Sequence, residues 1–204
     1  MADCCDYKSC EVAVLKKNHS GVLIAVLAIN GIMFLVEAVA GIKAHSTGLL
    51  GDSLDMLGDA MAYGISLYVL GRSQRWNAGA AAFKGALMAI LGATVLSEAA
   101  WKLFHPVQPT VATMGIIGAV ALIANLACLG LLWKSRADDM NMRSVWLCSR
   151  NDIVANLGVL GAAVLVNWTG STWPDIAVGA CIAVLFLRSS FEVFRTSLPV
   201  LRKS

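Results

Sequence analysis

Three carboxylates recur at helical spacing inside one apolar segment of the chain. Asp52, Asp55 and Asp59 are separated by three and then four positions, which places them along one face of a helix. An ionised group inside a membrane is costly unless it is paired, hydrated or bound to a metal ion. Three anions on one buried face therefore predict a positive partner, which is a proton, a basic side chain or a metal ion.

A second polar face is predicted further along the chain. Cys148, Asp152 and Asn156 follow one another at intervals of four residues and so share one side of a helix. Together, Asp55, Asp59, Cys148 and Asp152 offer three carboxylates and one thiolate, a set that can surround a divalent ion such as Zn²⁺ tetrahedrally. Further candidate metal ligands are Asp52, Asn156 and Glu37.

Several of these residues also have simpler explanations. Asp52 could be a hydrated residue at the mouth of its helix, and a single membrane cysteine such as Cys148 is often a small packing residue. Asn30 and Asn125 could line the permeation route or form hydrogen bonds between helices. The N-terminal cysteines could capture a soft metal ion or belong to a disordered tail; they are Cys4, Cys5 and Cys10.

The composition predicts that helices in a membrane position these residues. Of the 204 residues, 58% are hydrophobic and 14% are charged, and the mean hydropathy is +0.71, which excludes a soluble globular protein. Each apolar run is long enough to span a bilayer as a helix. These runs cover residues 21–42, 48–70, 83–103, 111–133, 145–168 and 174–198.

The distribution of positive charge predicts the orientation. Most of the 16 Lys and Arg residues fall on one side of the membrane if both termini are cytoplasmic. We therefore expect an all-α membrane protein, a six-transmembrane-helix bundle with cytoplasmic N- and C-termini. Its predicted parts are an N-terminal cysteine-containing segment (1–18), the transport domain (19–198) and a short tail (199–204). A net charge of +3 gives no indication of nucleic-acid binding.

The sequence resembles the transmembrane domain of the cation diffusion facilitator family over about residues 19–198. The matching residues are Asn30, Glu37 and Gly41, the block from Gly51 to Asp59, Asn125, Asn141, Leu147, Cys148, Asp152, Pro174 and Asp175. The resemblance implies metal/proton antiport by six spans, with Asp55, Asp59, Cys148 and Asp152 as the transport site. We also expect a homodimer, although the dimer-forming cytoplasmic module of the family does not carry over to this sequence.

Two differences from the family pattern affect the interpretation. Cys148 stands where the family usually has His, and a thiolate favours zinc and cadmium over manganese or magnesium. The family's usual cytoplasmic domain after the sixth span has no counterpart in this sequence, so we expect the transport domain alone.

The expected function is efflux of divalent heavy-metal cations across a bacterial inner membrane. We expect an antiporter that exports Zn²⁺, and also Cd²⁺ or Co²⁺, from the cytoplasm in exchange for protons. No cofactor is expected beyond the transported ion, and no enzyme motif is present. The alternatives are a membrane metal sensor that does not transport and an exporter of small organic cations; the scarcity of aromatic residues, 7%, argues against the exporter.

Overall fold

The described part of the chain is a bundle of α-helices. The computed structural model describes the backbone of residues 3–69, 74–133 and 140–202, and most side chains within 21–64, 78–132 and 152–195. Within these ranges there are six helices: α1 Asp3–Ala44, α2 Thr47–Val69, α3 Gln74–Phe104, α4 Val111–Trp133, α5 Met140–Thr169 and α6 Trp173–Arg202. The predicted all-α, six-helix fold is confirmed, while the cytoplasmic placement of both termini stays a prediction.

Five of the described helices contain a segment long and apolar enough to cross a membrane. These segments are Ile24–Ala44, Ala78–Phe104, Val111–Leu132, Asp152–Thr169 and Trp173–Arg195. The remaining helix, α2, carries three Asp residues within 23 positions. Large apolar side chains such as Ile123, Trp168 and Phe191 point outward, as expected for a bundle surrounded by lipid. The chain is therefore an integral, multi-pass membrane protein.

Several helices extend beyond the apolar runs that predicted them. α1 begins at Asp3, α3 at Gln74 and α5 at Met140, whereas the corresponding runs begin at residues 21, 83 and 145. A helix satisfies its own backbone hydrogen bonds in water and in lipid alike. Apolar length therefore predicts the part of a helix that lies in lipid and not the point where the helix begins.

α2 packs against four of the other helices. These are α1, α3, α5 and α6, while α3 pairs extensively with α6, and α4 with α5. α2 and α6 approach most closely through glycine: a Cβ on Gly51 would lie 3.3 Å from the Cα of Gly179, and a Cβ on Gly179 would overlap the backbone of Thr47. Small residues allow such backbone-to-backbone packing in membrane bundles, and here they hold the acidic helix inside the protein.

Candidate metal-transport site

The three α2 carboxylates occupy the interior of the bundle. Asp52 is 1% exposed, and Asp55 and Asp59 are half-buried. At 1.5 Å per residue, Asp55 and Asp59 lie about 12 and 18 Å from the start of a helix that is about 34 Å long. The predicted acidic stripe therefore lies in the middle of α2, at a depth where an unneutralised carboxylate is costly.

The polar side of α5 faces α2 at Asp52. Asn156, which is fully buried, directs its Nδ2 at Asp52 Oδ1 at 3.4 Å and donates to the Asp152 carbonyl at 2.9 Å. Asp152 itself is half-buried. The facing stripes predicted for these two helices are therefore in contact at their Asp52–Asn156 level.

Glu37 on α1 belongs to the same region. Its side chain is fully buried, and its carboxylate interacts electrostatically with Asp52 and Asp55. Asp52 interacts in the same way with Asp152. Four carboxylates from three helices thus influence one another inside the bundle, so the region has a strong preference for positive charge.

Three of the four predicted ligands lie within the described side chains. Among the described side chains, no three His, Cys, Asp or Glu residues form a group that could hold a metal ion. Cys148 lies on α5, one helical turn before Asp152, but its side chain is outside the described residues. Asp55, Asp59 and Asp152 alone are not gathered around one point in this conformation, and whether Cys148 completes the set stays a prediction.

A carboxylate on α6 caps the first turn of α2. Asp175 accepts hydrogen bonds from Ser46 Oγ at 2.6 Å, from Thr47 N at 2.7 Å and from Gly48 N at 2.9 Å. Ser46 Oγ also accepts from Leu49 N at 3.1 Å, as an N-cap residue does. A negative charge at this position satisfies free N–H groups and interacts favourably with the helix dipole.

Lys102 on α3 joins the same connection. Its Nζ donates to His45 O and to Thr47 Oγ1, both at 2.9 Å, and pairs with Glu98 at 2.6 Å. His45 ends α1 with a left-handed φ of 52°, while Ser46 N donates to Gly41 O at 3.0 Å, which is a Schellman motif. We call Ser46, Thr47, Lys102 and Asp175 the far-end clasp, since they join three helices at the end where α1 and α2 are connected.

The residues of the clasp were not predicted as functional. Lys102 lies near the end of the predicted 83–103 run and is 5% exposed, because its ammonium reaches back to the α1–α2 connection. Asp175 appeared in the resemblance without a role. Its partners lie 127 to 129 positions away. The one local signal for this contact was Ser46-Thr47 at the start of α2, which is typical of a helix N-terminus.

Comparison with known proteins identifies the family. The sequence model for the cation efflux transmembrane domain matches residues 23–202, which is most of the 204-residue chain. The chain belongs to the cation efflux family. This confirms the resemblance drawn from the sequence, and it agrees with the expectation of a transporter rather than an enzyme.

Three relatives of this cation efflux domain are named as metal transporters. The metal cation efflux system protein CzcD of Cupriavidus metallidurans is 27% identical over 187 residues, covering 86% of this chain and 59% of that protein. A cadmium, cobalt and zinc/H(+)-K(+) antiporter of Bacillus velezensis is 28% identical, covering 90% and 65%. The zinc transporter ZitB of Yersinia pestis is 28% identical, covering 88% and 62%. The chain spans about three fifths of the length of these relatives.

The remaining predicted residues of the cation efflux domain have mixed outcomes. Asn30 donates to Val26 O at 2.9 Å and contacts Cys128 Sγ on α4 at 3.9 Å, which favours the interhelical explanation. Cys128 packs in an apolar cluster. Cys181 is exposed, on the outward side of α6. The side chains of Cys4, Cys5 and Cys10 are outside the described residues.

Proposed function

We propose that this chain is the membrane domain of a transporter that exports divalent heavy-metal cations. The proposed cargo is Zn²⁺, with Cd²⁺ or Co²⁺ as further substrates, and protons move in the opposite direction. The observation that carries the proposal is the contact of the α2 carboxylate stripe with the polar side of α5, through Asp52 and Asn156, in a chain of the cation efflux family. The names of two relatives, which specify cadmium, cobalt and zinc or zinc alone, support the choice of metal.

Asp55, Asp59, Cys148 and Asp152 bind the metal ion in this proposal. A carboxylic acid or thiol must lose its proton before it can bind a metal ion. Metal and protons therefore compete for the same side chains. Clustered carboxylates also titrate as a group. With an inward proton gradient, the ligands are therefore protonated on the outer side, and the metal ion is released there.

The far-end clasp is the barrier on one side of this route. Asp175 and Lys102 hold the α1–α2 connection beneath the ends of α6 and α3. If both termini are cytoplasmic, this end faces outward, and in this proposal the clasp closes the outer side of the route. Release of the ion then requires movement of α2 against α6, which is the alternating-access step we propose.

The proposed setting is the cytoplasmic membrane of a bacterium, with the chain acting as a homodimer. The bacterial origin of the three relatives supports the location. Crosslinking of the purified chain in liposomes tests the dimer: a band at twice the monomer mass is expected, and a monomer alone contradicts it.

Flux through proteoliposomes tests the transport function. The purified chain is reconstituted with a zinc-sensitive dye inside, and Zn²⁺, Cd²⁺ or Co²⁺ is added outside with and without a pH gradient. We expect uptake that the gradient accelerates and that Asp55→Asn or Asp59→Asn abolishes. Glu192→Gln is the matched control, since Glu192 lies near Arg188 at 3.7 Å on a different helix.

Other outcomes of the same assay identify the alternatives. Metal binding without flux indicates a sensor. Proton-coupled movement of an organic cation such as ethidium, with no metal flux, indicates a small-molecule exporter. Metal flux that is indifferent to a pH gradient contradicts the antiport mechanism.

A further inference from the structure

Three fully buried polar side chains on three different helices lie beside the acidic stripe. They are Glu37 on α1, Asp52 on α2 and Asn156 on α5, with exposed fractions of 0%, 1% and 0%. Asn156 Nδ2 points at Asp52 Oδ1, and Asp52 and Glu37 interact electrostatically. We call these three residues the oxygen cluster.

The oxygen cluster has an excess of acceptors over donors. Among the described residues, neither carboxylate oxygen of Glu37 has a hydrogen-bond partner, and the same is true of Asp52 Oδ2 and Asn156 Oδ1. The amide of Asn156 supplies the donor, and it is shared with the Asp152 carbonyl. A buried acceptor left without a donor is unfavourable, and more so when it is charged, so four of them together indicate that something positive belongs there.

Among the side chains that the structure describes, the charged groups that act on the cluster are negative. Asp55 on α2 acts on Glu37, and Asp152 on α5 acts on Asp52. α4, which also packs against α1, contains no charged residue. Lys102 is engaged by Glu98, His45 and Thr47 in the clasp. The compensating charge is therefore expected to come from a bound cation.

The ligand chemistry of the cluster differs from that of the predicted metal set. It offers two carboxylates and one amide oxygen, with no sulfur or nitrogen ligand. Oxygen ligands alone favour hard cations, whereas a thiolate favours soft or borderline metals. The cluster also lies closer to the far-end clasp, since Asp52 precedes Asp55 by nearly one turn of α2 and Glu37 is seven residues from the end of α1.

We propose that Glu37, Asp52 and Asn156 form a second cation site that holds a hard monovalent cation, either a proton or an alkali-metal ion, between the metal ligands and the far-end clasp. Occupation of this site by the counter-ion compensates the buried carboxylates when the metal ion has left. Only this coupling role rests on the proposed transport function; the binding of a cation does not.

The test replaces each carboxylate with an amide of nearly the same shape and adds one variant that keeps the charge. Glu37→Gln and Asp52→Asn remove the negative charges, Glu37→Asp retains the charge, and Glu192→Gln on α6 is the matched control. Zinc flux into proteoliposomes is measured in two arms. In the first, pH is fixed and Na⁺, K⁺ or the inert cation N-methylglucamine is supplied. In the second, alkali ions are absent and a pH dye counts the protons moved for each zinc ion.

The proposed transport function already predicts proton movement in the second arm, so a response to Na⁺ or K⁺ in the first arm assigns an alkali-metal ion to the cluster, and a response in the second arm alone assigns a proton. Removing the negative charge that holds the cation should weaken that response about tenfold or more in Glu37→Gln and Asp52→Asn. Glu37→Asp and Glu192→Gln should retain it. Zinc affinity is measured in parallel by titration calorimetry: a cation response that falls more than zinc affinity in Glu37→Gln and Asp52→Asn supports a separate site, whereas equal losses of both overturn it.

The proposal is overturned if the wild type responds in neither arm, or if Glu37→Gln and Asp52→Asn respond as the wild type does. A wild type that moves no zinc at all overturns the transport function instead. In that case, thermal stability of the detergent-purified chain in the same salts and at two pH values decides the cation site: Glu37→Gln must lose a cation-dependent stabilisation that Glu192→Gln retains.

Discussion

Asp55, Asp59 and Asp152 must be ionised before they can bind a divalent cation. Metal affinity of the α2–α5 face should therefore fall as pH falls, because protons displace the metal from the same oxygens. We expect titration calorimetry of the purified chain with Zn²⁺ to show weaker binding and more protons released per ion in more acidic buffer. An affinity that is independent of pH would mean that these carboxylates are not the ligands.

Cys148 should determine which metal the site prefers. A thiolate is a softer ligand than imidazole, so Cys148→His should shift the preference toward zinc relative to cadmium. Competition between Zn²⁺ and Cd²⁺ during uptake into proteoliposomes measures this shift. Cys181→Ser is the control, because Cys181 is an exposed residue of α6. If the two variants give the same ratio as the wild type, Cys148 is a packing residue.

At the scale of the helices, the first turn of α2 depends on Asp175. Asp175→Asn removes the charge that accepts from Thr47 N, Gly48 N and Ser46 Oγ. Hydrogen bonds to a charged group contribute about 1.5–3 kcal/mol, so a loss of about 2 kcal/mol in the free energy of unfolding is expected. Urea or SDS titration in mixed micelles measures it. The same acid-to-amide change at Glu192 on α6 should cost much less, and equal losses would contradict the capping role.

The α2–α6 contact should not tolerate a side chain at Gly179. A Cβ there would overlap the carbonyl group of Thr47, so Gly179→Ala must push the two helices apart, at a cost of about 1–3 kcal/mol. Gly161→Ala on α5 is the matched control, since a Cβ at Gly161 meets no atom within 4 Å and alanine favours helix. We expect a lower unfolding temperature for the first variant only, together with slower zinc flux.

These elements show which parts of the fold could be predicted. Apolar length and the spacing of Asp52, Asp55 and Asp59 predicted α2 within one residue of its described bounds, because the need to satisfy backbone hydrogen bonds in lipid leaves few alternatives. The helical spacing of Asp152 and Asn156 likewise predicted that they share a face of α5. The capping of α2 by Asp175 could not be predicted, since it depends on how α6 is placed beside α2.

The arrangement of the whole bundle explains why the candidate site was predicted only in part. Glu37 was one further candidate among several, and its position follows from the packing of α1 against both α2 and α5. The convergence of Glu37, Asp52 and Asn156 is a property of three helices in contact, which no spacing within one helix can predict. The three residues therefore became a distinct cluster only once the packing was known.

The direction of transport depends on the orientation of the whole molecule, which residue 107 can test. Val107 lies in the connection between α3 and α4 and is 41% exposed, at the same end as the clasp, where Thr110 N donates to Ala44 O at 2.9 Å. If both termini are cytoplasmic, Val107→Cys should react with a membrane-impermeant maleimide in intact cells. The wild-type chain, with its native cysteines, provides the background. A Val107→Cys signal that exceeds this background only after the cells are permeabilised would mean that the bundle has the opposite orientation. The clasp would then close the cytoplasmic side, and the oxygen cluster would lie on the inner side of the metal ligands.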